Sequence, residues 1–154
     1  MFIDTHCHLT DEYCGSGDLN AVIKRAADAN VTTLICPTAD PDDIPSALEI
    51  INKYDNVFAT IGIHPEMAKD WPFDIDAVMP TDMFKNPKIV GIGEIGLDYH
   101  YGMEFKNQQI ELFEKQLAIA RAAQLPVAIH TREAEEDTKR ILDGSVGGVM
   151  HCYT

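Results

Sequence analysis

The sequence predicts an α/β fold built on a parallel sheet, and three observations carry that prediction. Short runs of Val, Ile and Leu alternate with stretches of helical periodicity, strand then helix, five times before a sixth strand. Four of those runs are nearly continuous in apolar residues, the pattern of parallel strands buried on both faces. Five of the six histidines fall at or next to the carboxyl end of a predicted strand. Alternation alone suits a doubly wound sheet equally well, but no G-x-G-x-x-G follows the first strand and no G-x-x-x-x-G-K-[ST] occurs. The histidines favour a (β/α)8 TIM-barrel type, because a parallel barrel gathers all its carboxyl strand ends around a single mouth.

The strands are expected at residues 1–5, 32–36, 57–63, 89–95, 126–130 and 148–152. The first helix, 18–30, carries Leu19, Val22, Ile23, Ala26 and Ala27 on one face. The second, 42–54, follows a Pro-Asp start with Ile44, Leu48 and Ile51 in register. A weaker pattern over 74–84 is interrupted by Pro80. The longest helix, 104–123, lines up Ile110, Phe113, Leu117 and Ala120. The last, 133–142, places acids first, then Lys139 and Arg140, then Gly144, which suits the helix dipole and a glycine stop.

At 154 residues and 45% hydrophobic content the chain is expected to form a single domain over 1–154. MFIDT lacks the basic start and long apolar run of a signal peptide, and no apolar run approaches the roughly 20 residues that cross a bilayer. Four cysteines without a C-x-x-C pattern read as thiols of a soluble, cytoplasmic protein. A formal charge of −13 argues against a basic surface that grips nucleic acid through its phosphates. It leaves a phosphate substrate open, since bound divalent cations would bring positive charge to the site itself.

Asp4, His6 and His8 in FIDTHCHL alternate along an extended segment, so both imidazoles face one side and suit a shared cation. A polar strand terminus with surface histidines is the competing reading. Glu94 stands inside the apolar, glycine-punctuated GIGEIGLDY, where a carboxylate must pair, take a proton or bind metal. The alternative is a core salt bridge, with Lys88 and His100 as the nearby basic candidates. Gly91, Gly93 and Gly96 allow a close backbone or ligand approach, or a tight turn, and Asp98 suits an orienting or helix-capping role.

PVAIHTRE and VMHCYT each end an apolar run in one histidine, His130 and His151, as ligands or as satisfied core histidines. Together with Glu94 and the first pair they suit zinc, manganese or magnesium-type divalent chemistry. His64 in GIHP suits substrate orientation, proton shuttling or a structural role. Arg132 suits an anionic oxygen, or a salt bridge to the acidic stretch 133–137. Cys36 and Cys152 are expected as small core residues, and no Ser or Cys sits in a G-x-S-x-G context.

In this order and spacing, FIDTHCHL, GIHP, GEIGLDY, PVAIHTRE and HCYT resemble the TatD family of metal-dependent deoxyribonucleases, from Phe2 to Thr154. That family belongs to the amidohydrolase-like metal hydrolases with TIM-barrel folds. The resemblance implies two divalent metal ions (Mg, Mn or Zn), one on His6 and His8, the other on His130 and His151, bridged by Glu94. It implies that His64 and Arg132 meet the substrate phosphate. The implied reaction is phosphodiester hydrolysis, often 3′-to-5′ on single-stranded DNA, with RNA as a further substrate. An amide, lactone or ester hydrolase on the same scaffold is the alternative, although Glu94 stands where many such enzymes use a carboxylated lysine.

Family members run to roughly 250 residues and carry a later aspartate ligand in a T-D-S-P-like motif. The present sequence ends after its sixth strand without one. An experimental fragment, a natural truncation, or one chain of a barrel completed by another polypeptide would each end this way. The expectation is weak or no nuclease activity for this chain alone, to the point of a catalytically inactive fragment, and self-association through unpaired sheet edges.

Overall fold

The structure is a computed structural model that describes residues 1–10, 18–142, 144 and 146–154. Six strands form one parallel sheet in the order of the chain: β1 (Phe2–Asp4), β2 (Val31–Pro37), β3 (Val57–Ile61), β4 (Ile89–Asp98), β5 (Val127–Arg132) and β6 (Gly148–Tyr153). Each crossover therefore moves the chain one strand along in the same direction. A doubly wound sheet reverses its strand order at a switch point, so the unbroken order identifies the open-barrel arrangement.

The helices are α1 (Leu19–Asp28), α2 (Asp43–Lys53), α3 (Ile75–Val78), α4 (Tyr99–Gly102), α5 (Lys106–Ala123) and α6 (Glu135–Ile141). Asp18 caps α1 by accepting from the Asn20 N–H at 3.0 Å. The stretch 74–84 is not one helix. Asp74 caps the single turn α3, and Pro80 precedes a separate 3-10 turn, Thr81–Lys85. The helix expected from 133 begins at Glu135 instead, because Glu133 takes a left-handed conformation (φ 52°). Its acids do fill the first turn and its basic residues the last.

The central strands β2 to β5 are largely buried, and Ile61, Ile92, Ile95, Leu97 and Phe113 form the middle of the core. By contrast β1 and β6, each paired on one side only, expose Phe2, Ile3, Val149, Met150 and Tyr153. Glycines let β4 lie unusually close to β5. A Cβ on Gly93 would stand 2.7 Å from the Ala128 Cβ, and Gly96 combines a φ of 141° with a carbonyl of His130 where its Cβ would go.

Helix α5 meets the sheet with two buried glutamines as well as with its apolar residues. Gln116 accepts from the Ile63 N–H at 2.8 Å and donates to the Ile63 carbonyl at 3.0 Å. Gln109 accepts from the Asp98 N–H at 2.8 Å and donates to the carbonyls of Asp98 and Gly102. Each side-chain amide thus acts as a short piece of neighbouring strand, satisfying backbone groups just beyond β3 and at the end of β4.

Candidate metal centre

Glu94 projects from β4 with only 4% of its surface exposed. Its N–H donates to the Thr38 carbonyl at 2.9 Å. The Thr38 hydroxyl in turn donates to the Gly62 carbonyl at 2.8 Å and accepts from the Gly62 N–H at 2.9 Å. The chain just past β2 and β3 is thereby tied to β4 where the carboxylate emerges.

Five imidazoles surround that carboxylate. On Oε2, His6 Nε2 stands at 3.2 Å and His8 Nε2 at 3.7 Å. On Oε1, His151 Nε2 stands at 2.7 Å, His130 Nδ1 at 3.0 Å and His64 Nε2 at 3.7 Å. Two compact donor sets share Glu94, one with His6 and His151 and one with His64 and His130. This division differs from the one implied by the resemblance, in which His6 goes with His8 and His130 with His151.

His6 and His8 reach the site from an extended segment rather than from the strand. β1 ends at Asp4, whose carboxylate accepts from the His6 N–H, and the Cys7 N–H bonds to the Ile35 carbonyl. Alternation still turns both rings to Glu94. The rings of His6 and His151 stack with centroids 3.5 Å apart and planes 5° from parallel. Burial holds His151 below its ordinary pKa, with neighbouring His6 adding to the effect, and burial and His6 do the same to His8. For Glu94, burial pushes the carboxyl up, but the hydrogen bond from His130 and the surrounding imidazoles outweigh it, so it stays ionised well below the ordinary range.

These residues fit a divalent cation. The buried Nε2 of His6 has no hydrogen-bond partner among the described residues, although a carboxylate oxygen lies 3.2 Å away. A buried polar nitrogen without a hydrogen bond is costly, and a cation shared with the neighbouring carboxylate would satisfy it. Imidazoles around one carboxylate are also the nitrogen-rich donor set that such ions prefer.

His64 differs from the other four. It caps the 3-10 turn Pro65–Asp70, and its Nδ1 accepts from the Glu66 N–H at 3.3 Å. Accepting at Nδ1 leaves the proton on Nε2, which suits a hydrogen-bond donor and not a metal ligand. Burial lowers its pKa to about 4, so the ring is neutral at pH 7. His130 is held at both nitrogens, by Glu94 on Nδ1 and by Asp98 Oδ2 on Nε2 at 2.8 Å. Burial opposes charge on His130, but the two carboxylates outweigh it and raise its pKa.

The core salt-bridge reading of Glu94 loses both of its candidate partners. Lys88 Nζ donates to the carbonyls of Ile51 and Tyr54, and His100 Nδ1 pairs with Glu133 at 2.7 Å. His100 lies in the helical turn α4 and not in a loop. Arg132 makes no ion pair among the described residues. Its guanidinium carbon lies 4.7 Å from the ring centroid of Tyr101, so a bridge to the following acidic stretch is not formed there. The Asp98 carboxylate caps α4 through the N–H groups of His100 and Tyr101.

The cluster opens into a cavity of about 480 Å³. Its described lining includes the acids Asp40, Glu66, Glu94 and Asp98 and a single cationic side chain, Arg132. Cys152, expected in the core, is half-buried and borders this cavity, because β6 is an edge strand. Cys36 is fully buried, as expected. Tyr101, Asp40 and Glu66 escaped sequence reasoning. For Tyr101 a signal existed, an aromatic in the polar turn directly after a site-bearing strand.

Imidazoles and a buried carboxylate at the carboxyl ends of sequential parallel strands define the class of metal-dependent barrel hydrolases. Within that class, the chain belongs to the TatD related DNase family, whose model matches residues 3–154. It is 40% identical over 158 residues to the metal-dependent hydrolase YabD of Bacillus subtilis, covering 100% of this chain and 61% of that protein. Against the 3′-5′ ssDNA/RNA exonuclease TatD of Erwinia amylovora it is 32% identical over 142 residues, covering 89% of this chain and 54% of that protein. The crystal structure of the Escherichia coli TatD homologue YjjV superposes with a TM-score of 0.83 at 32% identity, over 94% of this chain and 56% of that one. A TatD family hydrolase from Entamoeba histolytica gives a TM-score of 0.84 at 27% identity, over 99% of this chain and 58% of that one. The chain thus spans between half and two thirds of the length of these relatives.

Proposed function

We propose that the protein hydrolyses phosphodiester bonds of single-stranded DNA, with RNA as a second substrate, working from the 3′ end with two divalent cations (Mg, Mn or Zn). The observation that carries this reading is the buried carboxylate of Glu94 within reach of five imidazoles, in a cavity whose one cationic side chain among the described residues is Arg132. The 3′-5′ ssDNA/RNA exonuclease named among the relatives supports the substrate. His6, His8, His130 and His151 would hold the ions, with Glu94 shared between them. Divalent cations there would supply Lewis acidity at the phosphorus and activate water for attack.

The protein's own groups divide the remaining work. Glu94 contributes anionic charge that neutral imidazoles lack. Asp98 fixes the ring of His130. His64 donates its Nε2 proton to a phosphate oxygen, and Arg132 meets a non-bridging oxygen of the same group. The other charged side chains of the cavity are acidic, so a polyanion would be repelled unless cations are bound there. Divalent metal is then required for substrate binding as well as for chemistry.

The test is digestion of 5′-labelled single-stranded DNA with Mn²⁺ or Mg²⁺. The expected result, in keeping with a chain that spans only part of its relatives' length, is a slow ladder shortening from the 3′ end, abolished by chelator and by Glu94→Gln. Intact DNA alongside turnover of lactones or cyclic amides would instead assign the hydrolase alternative. Intact DNA with no turnover of either would support an inactive chain. We also infer a cytoplasmic location from the absence of disulfides among the described cysteines, and self-association through the exposed edges of β1 and β6.

A further inference from the structure

Tyr101 sits on the rim of the cavity that holds Glu94, with 61% of its surface exposed. Its position is not slack. Its N–H donates to Asp98 Oδ1 at 3.1 Å, and the His100 ring packs against its own at 4.5 Å with planes 85° apart. The guanidinium of Arg132 lies over the ring, 4.7 Å from the centroid.

The neighbouring charges leave this pair intact. Glu133, adjacent to Arg132 in sequence, is drawn to His100 at 2.7 Å. Arg132 is thus in no ion pair among the described residues, and its cation rests on an aromatic ring at the edge of an otherwise acidic cavity. An exposed aromatic beside a guanidinium in no ion pair is a pairing suited to recognising one nucleotide. The ring takes a base by stacking, which every base allows because each has a π face, and the guanidinium takes the phosphate next to it.

We propose that Tyr101 is the stacking platform for a nucleobase of the single strand, and that with Arg132 it forms a one-nucleotide subsite at the mouth. This inference rests on the nuclease reading, and deepens it. Stacking makes the subsite tolerant of sequence, with purines bound more tightly than pyrimidines.

The test reads binding rather than cleavage. Single-stranded oligonucleotides with phosphorothioate linkages carry 2-aminopurine at each of the last three 3′ positions in turn and are titrated with the protein in Mn²⁺. At one position the fluorescence is quenched by the unaltered protein and by Tyr101→Trp, and Tyr101→Phe retains most of the quenching. Tyr101→Ala abolishes it and weakens binding roughly 5- to 100-fold, with the melting temperature held because the ring is exposed. An oligonucleotide abasic at that position binds the unaltered protein as weakly as the intact one binds Tyr101→Ala. Equal affinity and equal quenching with Tyr101→Ala would overturn the subsite and leave the nuclease reading standing. Failure of the unaltered protein to bind any oligonucleotide would overturn both.

Discussion

Asp98 holds His130 at Nε2 across 2.8 Å while the same carboxylate caps the turn that follows its own strand. One side chain therefore sets both a ring of the candidate metal centre and the backbone on which Tyr101 stands.

Removing that charge separates the two tasks. Asp98→Asn keeps an oxygen for the cap but loses the anionic partner of His130. The expected outcome is a 10- to 100-fold weaker affinity for Mn²⁺ by titration calorimetry, with little change in thermal stability. Unchanged affinity would mean that Asp98 serves the fold alone.

The clasp of Gln116 on Ile63 makes a second prediction. Gln116→Met fills nearly the same volume but strands a buried N–H and carbonyl. Stability should fall by about 3 kcal/mol in urea denaturation. A loss below about 1 kcal/mol would show that packing and not hydrogen bonding is what the position requires.

Acidification should weaken the metal-free protein before any ordinary carboxylate titrates. His64 has a folded pKa of about 4, against about 6.5 when unfolded. Between those values the unfolded state binds more protons, so stability falls as pH drops from about 6.5 toward 4. His8 and His151, also lowered, act in the same direction, while His130, which is raised, opposes them. His64→Gln should flatten this limb by on the order of 2 kcal/mol in melts recorded from pH 7 to pH 4. An unchanged slope would contradict a buried, neutral His64.

The outer edges of β1 and β6 carry a fourth. Val149 and Tyr153 are 57% and 63% exposed on an edge strand that pairs on one side only. Charged replacement of both with lysine should shift a concentration-dependent oligomer toward monomer in sedimentation velocity. A sharp monomer at every concentration in the unaltered protein would remove the case for edge pairing.

The barrel type and the members of the histidine cluster could be read from the chain because every strand but β2 has a polar, chemically distinctive residue in or just beyond its apolar run. Where apolar alternation stops, the reading stopped too early. β4 runs on to Asp98 because Leu97 and Asp98 pair with Thr131 and Arg132, a cross-strand fact invisible in one strand's own residues. His6 and His8 were legible as an alternating pair, but not the end of β1 at Asp4. The glutamines of α5 were missed for another reason. A polar residue on an amphipathic helix reads as solvent-facing, and only the unpaired backbone opposite shows why burial suits it.

Those two glutamines also make α5 a measuring rod. They stand seven residues apart, about 10 Å along the axis at the rise of an α-helix, and each grips one of the two strand exits that flank the carboxylate. The spacing of Ile63 and Asp98 is therefore tied to the pitch of one helix. A single residue inserted between the grips would turn one of them by about 100° off its target, loosening a strand exit without changing any residue around Glu94.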